Sequence, residues 1–152
     1  MLQYKEILSK RNRAETGIRY EWYALQRWGA KYWDLFFKPY ICWKAVGRNL
    51  SFALVEGGTF LTAPASFISA GEYNNTILLY LRSSVGKYFI YKYSDTTGAG
   101  DIMLNIQSLI QFPIPIVKVE NENMSESEID TLVFDSYGLT KSEISYIKDQ
   151  LY

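Results

Sequence analysis

At 152 residues and 48% apolar composition, the chain has the length of one domain and enough apolar side chains to bury a core, which argues against disorder. Basic and acidic residues number 16 each and histidine is absent, so serine–histidine and cysteine–histidine nucleophile systems and the commonest general base are excluded. No apolar run approaches the roughly 18 residues that span a bilayer and no secretory signal precedes the first charges; the single Cys42 forms no internal disulfide and, without histidine, none of the usual zinc sites, so a reducing cytoplasm is the expected setting.

The chain opens with Leu2, Tyr4, Ile7 and Leu8 at helical spacing, followed by Lys10, Arg11 and Arg13. Tyr20 to Trp28 reads as a second short helix before Gly29. From Pro39 the pattern changes to strand formers. Tyr40 to Val46 predicts one strand, Gly47-Arg48-Asn49 a turn, and Ser51 to Val55 a second strand. Gly57-Gly58 is another turn, and Thr59 to Thr62 and Ser66 to Ser69 predict two further strands. Residues 1–50 carry ten Lys or Arg against four acids, an excess that suits an anionic partner or the acidic end of the same chain.

Thr76 to Tyr93 predicts a central helix, because Ile77, Leu78, Leu81, Val85, Tyr88, Phe89 and Lys92 follow a helical stripe too long for a strand. Ser83-Ser84 and Gly86 weaken its middle. Asp95 to Val117 then packs a glycine-rich turn, a short apolar strand, a helical turn and a proline-locked exit into one run. Gly98 and Gly100 let the backbone approach a partner closely. Pro113 and Pro115 predict that Phe112 to Val117 is extended, at a sheet edge or surface. In the tail, Ser125 with Glu128 and Thr140 with Glu143 fit two capping boxes, framing helices over Glu126 to Tyr137 and Lys141 to Tyr152 with a break at Gly138. Residues 119–152 carry two bases against eight acids. The expected fold is therefore α+β: a small, mostly antiparallel twisted sheet packed with a central helix, N-terminal helices and a C-terminal helical pair. Residues 1–152 read as a single domain, with 1–30 a helical lead-in and 125–152 a helical tail.

Gly98-Ala99-Gly100 lacks the third glycine of a dinucleotide fingerprint and the Lys-Ser/Thr of a P-loop. No Asn-Pro-Pro-Tyr or Asp-Pro-Pro-Tyr element is present, and no metal-nuclease spacing stands out. Asp95 and Asp101 flank the glycine turn and suit Asx-turn or capping duty better than metal binding. No catalytic and no metal-ligating residue is assigned. Arg27, Lys31, Lys38, Lys44 and Arg48 run through the segment leading into the first hairpin. Singly each suits a solvated surface; as a group they suit phosphate contacts, which position a protein on a duplex without reading sequence. Base reading then falls to Arg48, Thr97, Asn105 and Gln107, since arginine suits guanine edges and Asn or Gln suits adenine.

Several blocks share an order with one family. They are Trp22-Tyr23-Ala24-Leu25-Gln26-Arg27, Phe37-Lys38-Pro39-Tyr40-Ile41-Cys42-Trp43-Lys44, Leu50 to Ala53, and the helix Ile77 to Ser94. The glycine turn 98–100 with Met103-Leu104-Asn105 and Phe112 to Pro115 follows, and then the tail Ile129 to Ile144 with Tyr137-Gly138-Leu139-Thr140. Across nearly its whole length the chain resembles the C-terminal target-recognition domain of type IIG restriction-modification enzymes, the TaqI-like specificity domain of adenine-specific DNA methyltransferases. It departs from that pattern at Tyr40, where the family more often has lysine, and at Met103, where it often has arginine; these sites either alter base preference or do not read DNA.

The resemblance implies a double-stranded DNA partner and, upstream, methyltransferase and often nuclease domains, with Met1 beginning an excised segment or one half of a split gene. S-adenosylmethionine and Mg²⁺ are expected in the full-length enzyme and no cofactor in this domain. The chain alone is expected to be no enzyme; it would hold the target adenine for methylation. A protein-interaction or structural module without DNA binding is the alternative, motivated by thirteen tyrosines and the acidic tail. A carboxylate-dependent hydrolase lacks a clear acid pair.

Overall fold

The computed structural model describes residues 1–24, 32–115, 118–119 and 123–151. It divides the chain into two compact units, Met1–Trp33 and Asp34–Tyr152. In the first, a 3-10 turn at Leu2–Tyr4 leads into helix α1 (Lys5–Lys10). Arg11 ends α1 in an extended conformation, and its guanidinium donates to the carbonyls of Trp22 and Ala24 while lying 5.6 Å from the Tyr20 ring centroid. That one side chain ties the following loop to the helix end. The second helix expected over Tyr20 to Trp28 does not form in its described part: Tyr20 makes a bridge to Thr16 and residues 21–24 turn. Residues 25–28 lie outside the described residues.

The second unit is α+β, with small antiparallel sheets. Two three-stranded sheets form, where one was expected. The first has the order β3-β1-β4, with β1 (Tyr40–Lys44) central between β3 (Phe52–Val55) and β4 (Ala65–Ile68). Ile41 faces Leu54 and Ile68, and Trp43 faces Phe52 and Ser66, so one face of β1 is apolar and buried. The opposite face carries Tyr40, and Phe36, Tyr40, Phe60 and Phe67 pack their rings there at 4.7 to 5.9 Å.

The strand expected over Tyr40 to Val46 breaks at Ala45. Its N–H donates to Pro64 O (2.8 Å), beside the first sheet, and its carbonyl accepts from Leu104 N (3.0 Å), beside the second. The second sheet, order β2-β6-β5, joins β2 (Val46–Gly47), β6 (Ile102–Met103) and β5 (Asp95–Thr96). Thr59 to Thr62 is not a strand. Gly57 turns so tightly against Phe37 that an added Cβ would sit 2.2 Å from its carbonyl oxygen. The chain beyond it covers the first sheet: Thr59 O accepts from the Tyr40 hydroxyl (2.9 Å), and Phe60 lies over Phe36 and Phe37.

The central helix also divides, into α2 (Asn74–Arg82) and α3 (Ser84–Tyr93). Ser83 is extended (ψ 162°) and caps α3, its Oγ accepting from Gly86 N (3.1 Å) and donating to Tyr80 O (2.7 Å). At Gly86 a Cβ would fall 2.0 Å from Tyr80 O, so only glycine lets the two helices close on each other here. α2 is buried on two sides. Leu78 and Leu81 join Ile41, Trp43, Phe52 and Leu104 in one core, while Leu79 and Tyr80 join Val85, Val133 and Phe134 in a second.

A short helix, α4 (Ile106–Leu109), follows β6. Phe112 to Pro115 forms no strand, so of the sheet edge or surface expected for Phe112 to Val117 the sheet edge is not made; Pro113 is exposed, while Phe112 stacks on Phe89 (5.6 Å) and Pro113 O accepts from the Tyr137 hydroxyl. Residues 116 and 117 lie outside the described residues. The tail forms α5 (Glu126–Tyr137) and α6 (Lys141–Asp149), each with the expected capping box, separated by Gly138 in a left-handed conformation (φ 64°). The α6 helix stops at Asp149, short of Tyr152. Asp130 of α5 receives the N–H and the hydroxyl of Ser84, which docks the tail on the first turn of α3.

Candidate nucleic-acid interface

The second sheet gathers most of the basic and neutral polar candidates. β6 is its middle strand: Ile102 pairs with Gly47 and Thr96, and Met103 with Val46 and Asp95. Ile102 and Leu104 point into the core, while Met103 between them is exposed, so alternation alone turns one face of β6 to solvent. Arg48 follows Gly47 and Thr97 follows Thr96, so both emerge at the same end of the sheet. At the other end, the Leu104 N–H bonded to Ala45 O brings Asn105 beside Lys44. Asp101 to Asn105 spans about 13 Å at the rise of an extended strand.

The loop 97–101 is closed by its own polar groups. Thr97 N donates to Asp101 O (2.8 Å), Thr97 Oγ1 accepts from Asp101 N (3.0 Å), and Gly100 N donates to Thr97 O (2.9 Å). Gly100 takes φ 82°, which a side chain resists, whereas Gly98 has open space where its Cβ would be. The loop therefore presents Gly98 exposed, with open space on the side where a side chain would stand. Thr97 serves first as the residue that shapes it.

Arg48 is 80% exposed, and its Nε lies 3.8 Å from Asp101 Oδ1. At that distance and exposure the pair orients the guanidinium and leaves most of its five donors facing water. Lys44 is exposed at the end of β1, and its Cδ lies 3.9 Å from where a Gly47 Cβ would stand. Its stem thus runs along the backbone leading to Arg48. Asn105 caps α4: its Oδ1 accepts from Ser108 N (2.8 Å) and Ser108 Oγ (3.2 Å), leaving the amide NH₂ as its outward group. Gln107 is exposed on α4, with its carbonyl accepting from Gln111 Nε2 (2.9 Å).

Lys38 stands apart, before the opposite end of β1 and six residues from Lys44, about 20 Å along an extended chain. Arg27 and Lys31 lie outside the described residues. Five of the nine predicted residues, Lys44, Arg48, Thr97, Gly98 and Asn105, thus surround one small sheet, with Gln107 on the adjoining helix. Sequence reasoning did not pair Asp101 with Arg48. The register Gly47↔Ile102 creates that pairing, and register across two strands 55 positions apart has no local signal.

Burial pushes the Cys42 thiol up, away from a reactive thiolate. Burial, with Tyr80 adding to it, pushes the Tyr137 hydroxyl up to about 12. Among the described residues no group of three or more Cys, Asp or Glu side chains is arranged to hold a metal ion, and no helix is long and apolar enough to cross a membrane. No protein-family model matches the chain, and no curated protein matches it.

Proposed function

We propose that this chain is a sequence-specific double-stranded DNA recognition module of a cytoplasmic restriction-modification enzyme. It would hold a target adenine for catalytic domains outside this chain, which would bring S-adenosylmethionine and Mg²⁺. The observation that carries the reading is that Arg48 and the exposed Gly98 emerge at one end of a small sheet and Lys44 at the other, around a hairpin whose loop is closed by its own hydrogen bonds. A two-stranded ribbon is one of the elements that a major groove about 12 Å wide admits. Arginine beside lysine supplies phosphate or guanine contacts, and the Asn105 amide and Gln107 supply neutral donors and acceptors for base edges. The ordered sequence blocks support the same partner.

The test is selection from a random duplex library followed by fluorescence anisotropy across a salt series. The expected result is one enriched sequence, affinity that falls log-linearly with salt, and a salt slope reduced by about one in Arg48→Ala. Absence of enrichment together with salt-insensitive binding would overturn the reading.

A further inference from the structure

A cleft of about 630 Å³ opens beside the hairpin, between the start of β3, the α2–α3 junction and the first turns of α5. Its volume is that of a small-molecule site. The floor is apolar, built from Phe52, Leu81, Ile90 and Ile102. Its rim is not. Arg82 and Lys87 supply two cations against one acid, Glu126, and Asn49 lies on the rim directly after Arg48.

The rim side chains are set for a ligand with a flat face and an anionic group. Lys87 and Tyr91 are four residues apart on α3, hence neighbours on one helical face. Tyr91 is 53% exposed, so a face of its ring is open for stacking. Arg82 Nη2 is fixed by donating to Phe52 O (3.0 Å), which holds the guanidinium at the cleft while its other donors remain available. Lys87 has no ion-pair partner among the described residues. Nothing in the core requires a lysine, an arginine and an exposed tyrosine around an apolar hollow.

We infer that this cleft is a nucleotide-binding subsite, in which Tyr91 stacks on an unpaired base and Arg82 and Lys87 hold its phosphate. The ligand is either a nucleotide unpaired within a bound duplex or a free nucleoside monophosphate. The first source rests on the DNA-recognition reading, because Asn49 makes the cleft continuous with the Arg48 turn; the second stands without it.

The experiment compares three probes: an intact duplex, the same duplex with one unpaired adenosine carried as 2-aminopurine, and dAMP alone. Each is titrated against the wild-type chain, Lys87→Ala, Tyr91→Ala and Arg48→Ala, with circular dichroism to verify that these surface variants stay folded. The expected result is tighter binding of the bulged duplex than of the intact one. Tyr91→Ala should lower bulged-duplex affinity about 5- to 150-fold, Lys87→Ala should lower it too, and both should spare the intact duplex. Equal binding of the two duplexes, or a bulge preference that both variants retain, overturns the subsite and leaves the hairpin reading standing. If neither duplex binds, the hairpin reading fails, and dAMP decides: binding lost in Lys87→Ala and Tyr91→Ala supports a free-nucleotide site, and no binding overturns it.

Discussion

Asp130 accepts two hydrogen bonds from Ser84, from its backbone N–H at 2.7 Å and from its hydroxyl at 2.6 Å, across 46 residues of sequence. The carboxylate thereby caps the first turn of α3 from another helix, where a negative charge meets the unpaired N–H groups and the positive end of the helix dipole. Ser84 is only 8% exposed, so water replaces the acceptor poorly. Asp130→Ala is expected to cost about 1.5–3 kcal/mol, the range for hydrogen bonds to a charged group. Asp130→Asn, which keeps an acceptor, should recover part of it. Urea unfolding checks both, with a shifted midpoint at an unchanged slope.

Two glycines with the same chemistry should behave oppositely. Gly86→Ala drives a Cβ into Tyr80 O and is expected to destabilise the fold by at least about 2 kcal/mol, because α2 and α3 must separate. Gly98→Ala meets nothing within 4 Å and should change stability by less than about 0.5 kcal/mol. If the hairpin loop approaches DNA, Gly98→Ala will still weaken duplex binding. Thermal melts and anisotropy on the two variants separate these effects.

Asp101 is the counter-charge of Arg48. Asp101→Asn keeps the side chain's size and leaves the Asp101 N–H bonded to Thr97 Oγ1. It should raise affinity for duplex DNA a few-fold at low salt, with the gain fading as the Debye length shrinks to about 8 Å near physiological ionic strength. An affinity series over salt reads this directly.

The two tail caps make stability pH-dependent with a defined sign. Glu128 and Glu143 are held below the ordinary glutamate range by side-chain and then backbone hydrogen bonds from Ser125 and Thr140 respectively. A lowered folded value means that stabilisation is complete above the unfolded value of about 4.3 and is lost as pH falls through the lowered folded values. Helicity and amide protection at the first turns of α5 and α6 should hold between pH 6 and 5 and decline below pH 4. Glu128→Gln and Glu143→Gln should flatten that decline.

Local features were legible in the sequence and junctions were not. The tail was read to the residue for α5 because Ser125, Glu128 and Gly138 are local start and stop signals with their own geometry. Ser83, Ser84 and Gly86 marked a weak point in the central helix, but the break itself depends on Asp130 supplying a cap from 46 residues away. Past the break Ile90 is buried and Lys92 exposed, where the expected apolar stripe included Lys92. The spacing of four between Lys87 and Tyr91 was visible, but the cleft they line is closed by residues of β3 and α5, which no local signal places beside α3. Thr59 to Thr62 has strand composition, and its backbone was drawn instead into covering the ring cluster around Tyr40.

Ala45 hands its N–H to one sheet and its carbonyl to the other. A single residue thus sits between the hairpin and the core, like a pin through two plates. The 95–103 hairpin is joined to the interior through β6: the Leu104 N–H bonds Ala45 O, and the buried Trp43 ring donates its Nε1–H to Leu104 O at 3.0 Å. A loop at the surface is thus linked, within one strand, to hydrogen bonds made by the buried centre of the first sheet.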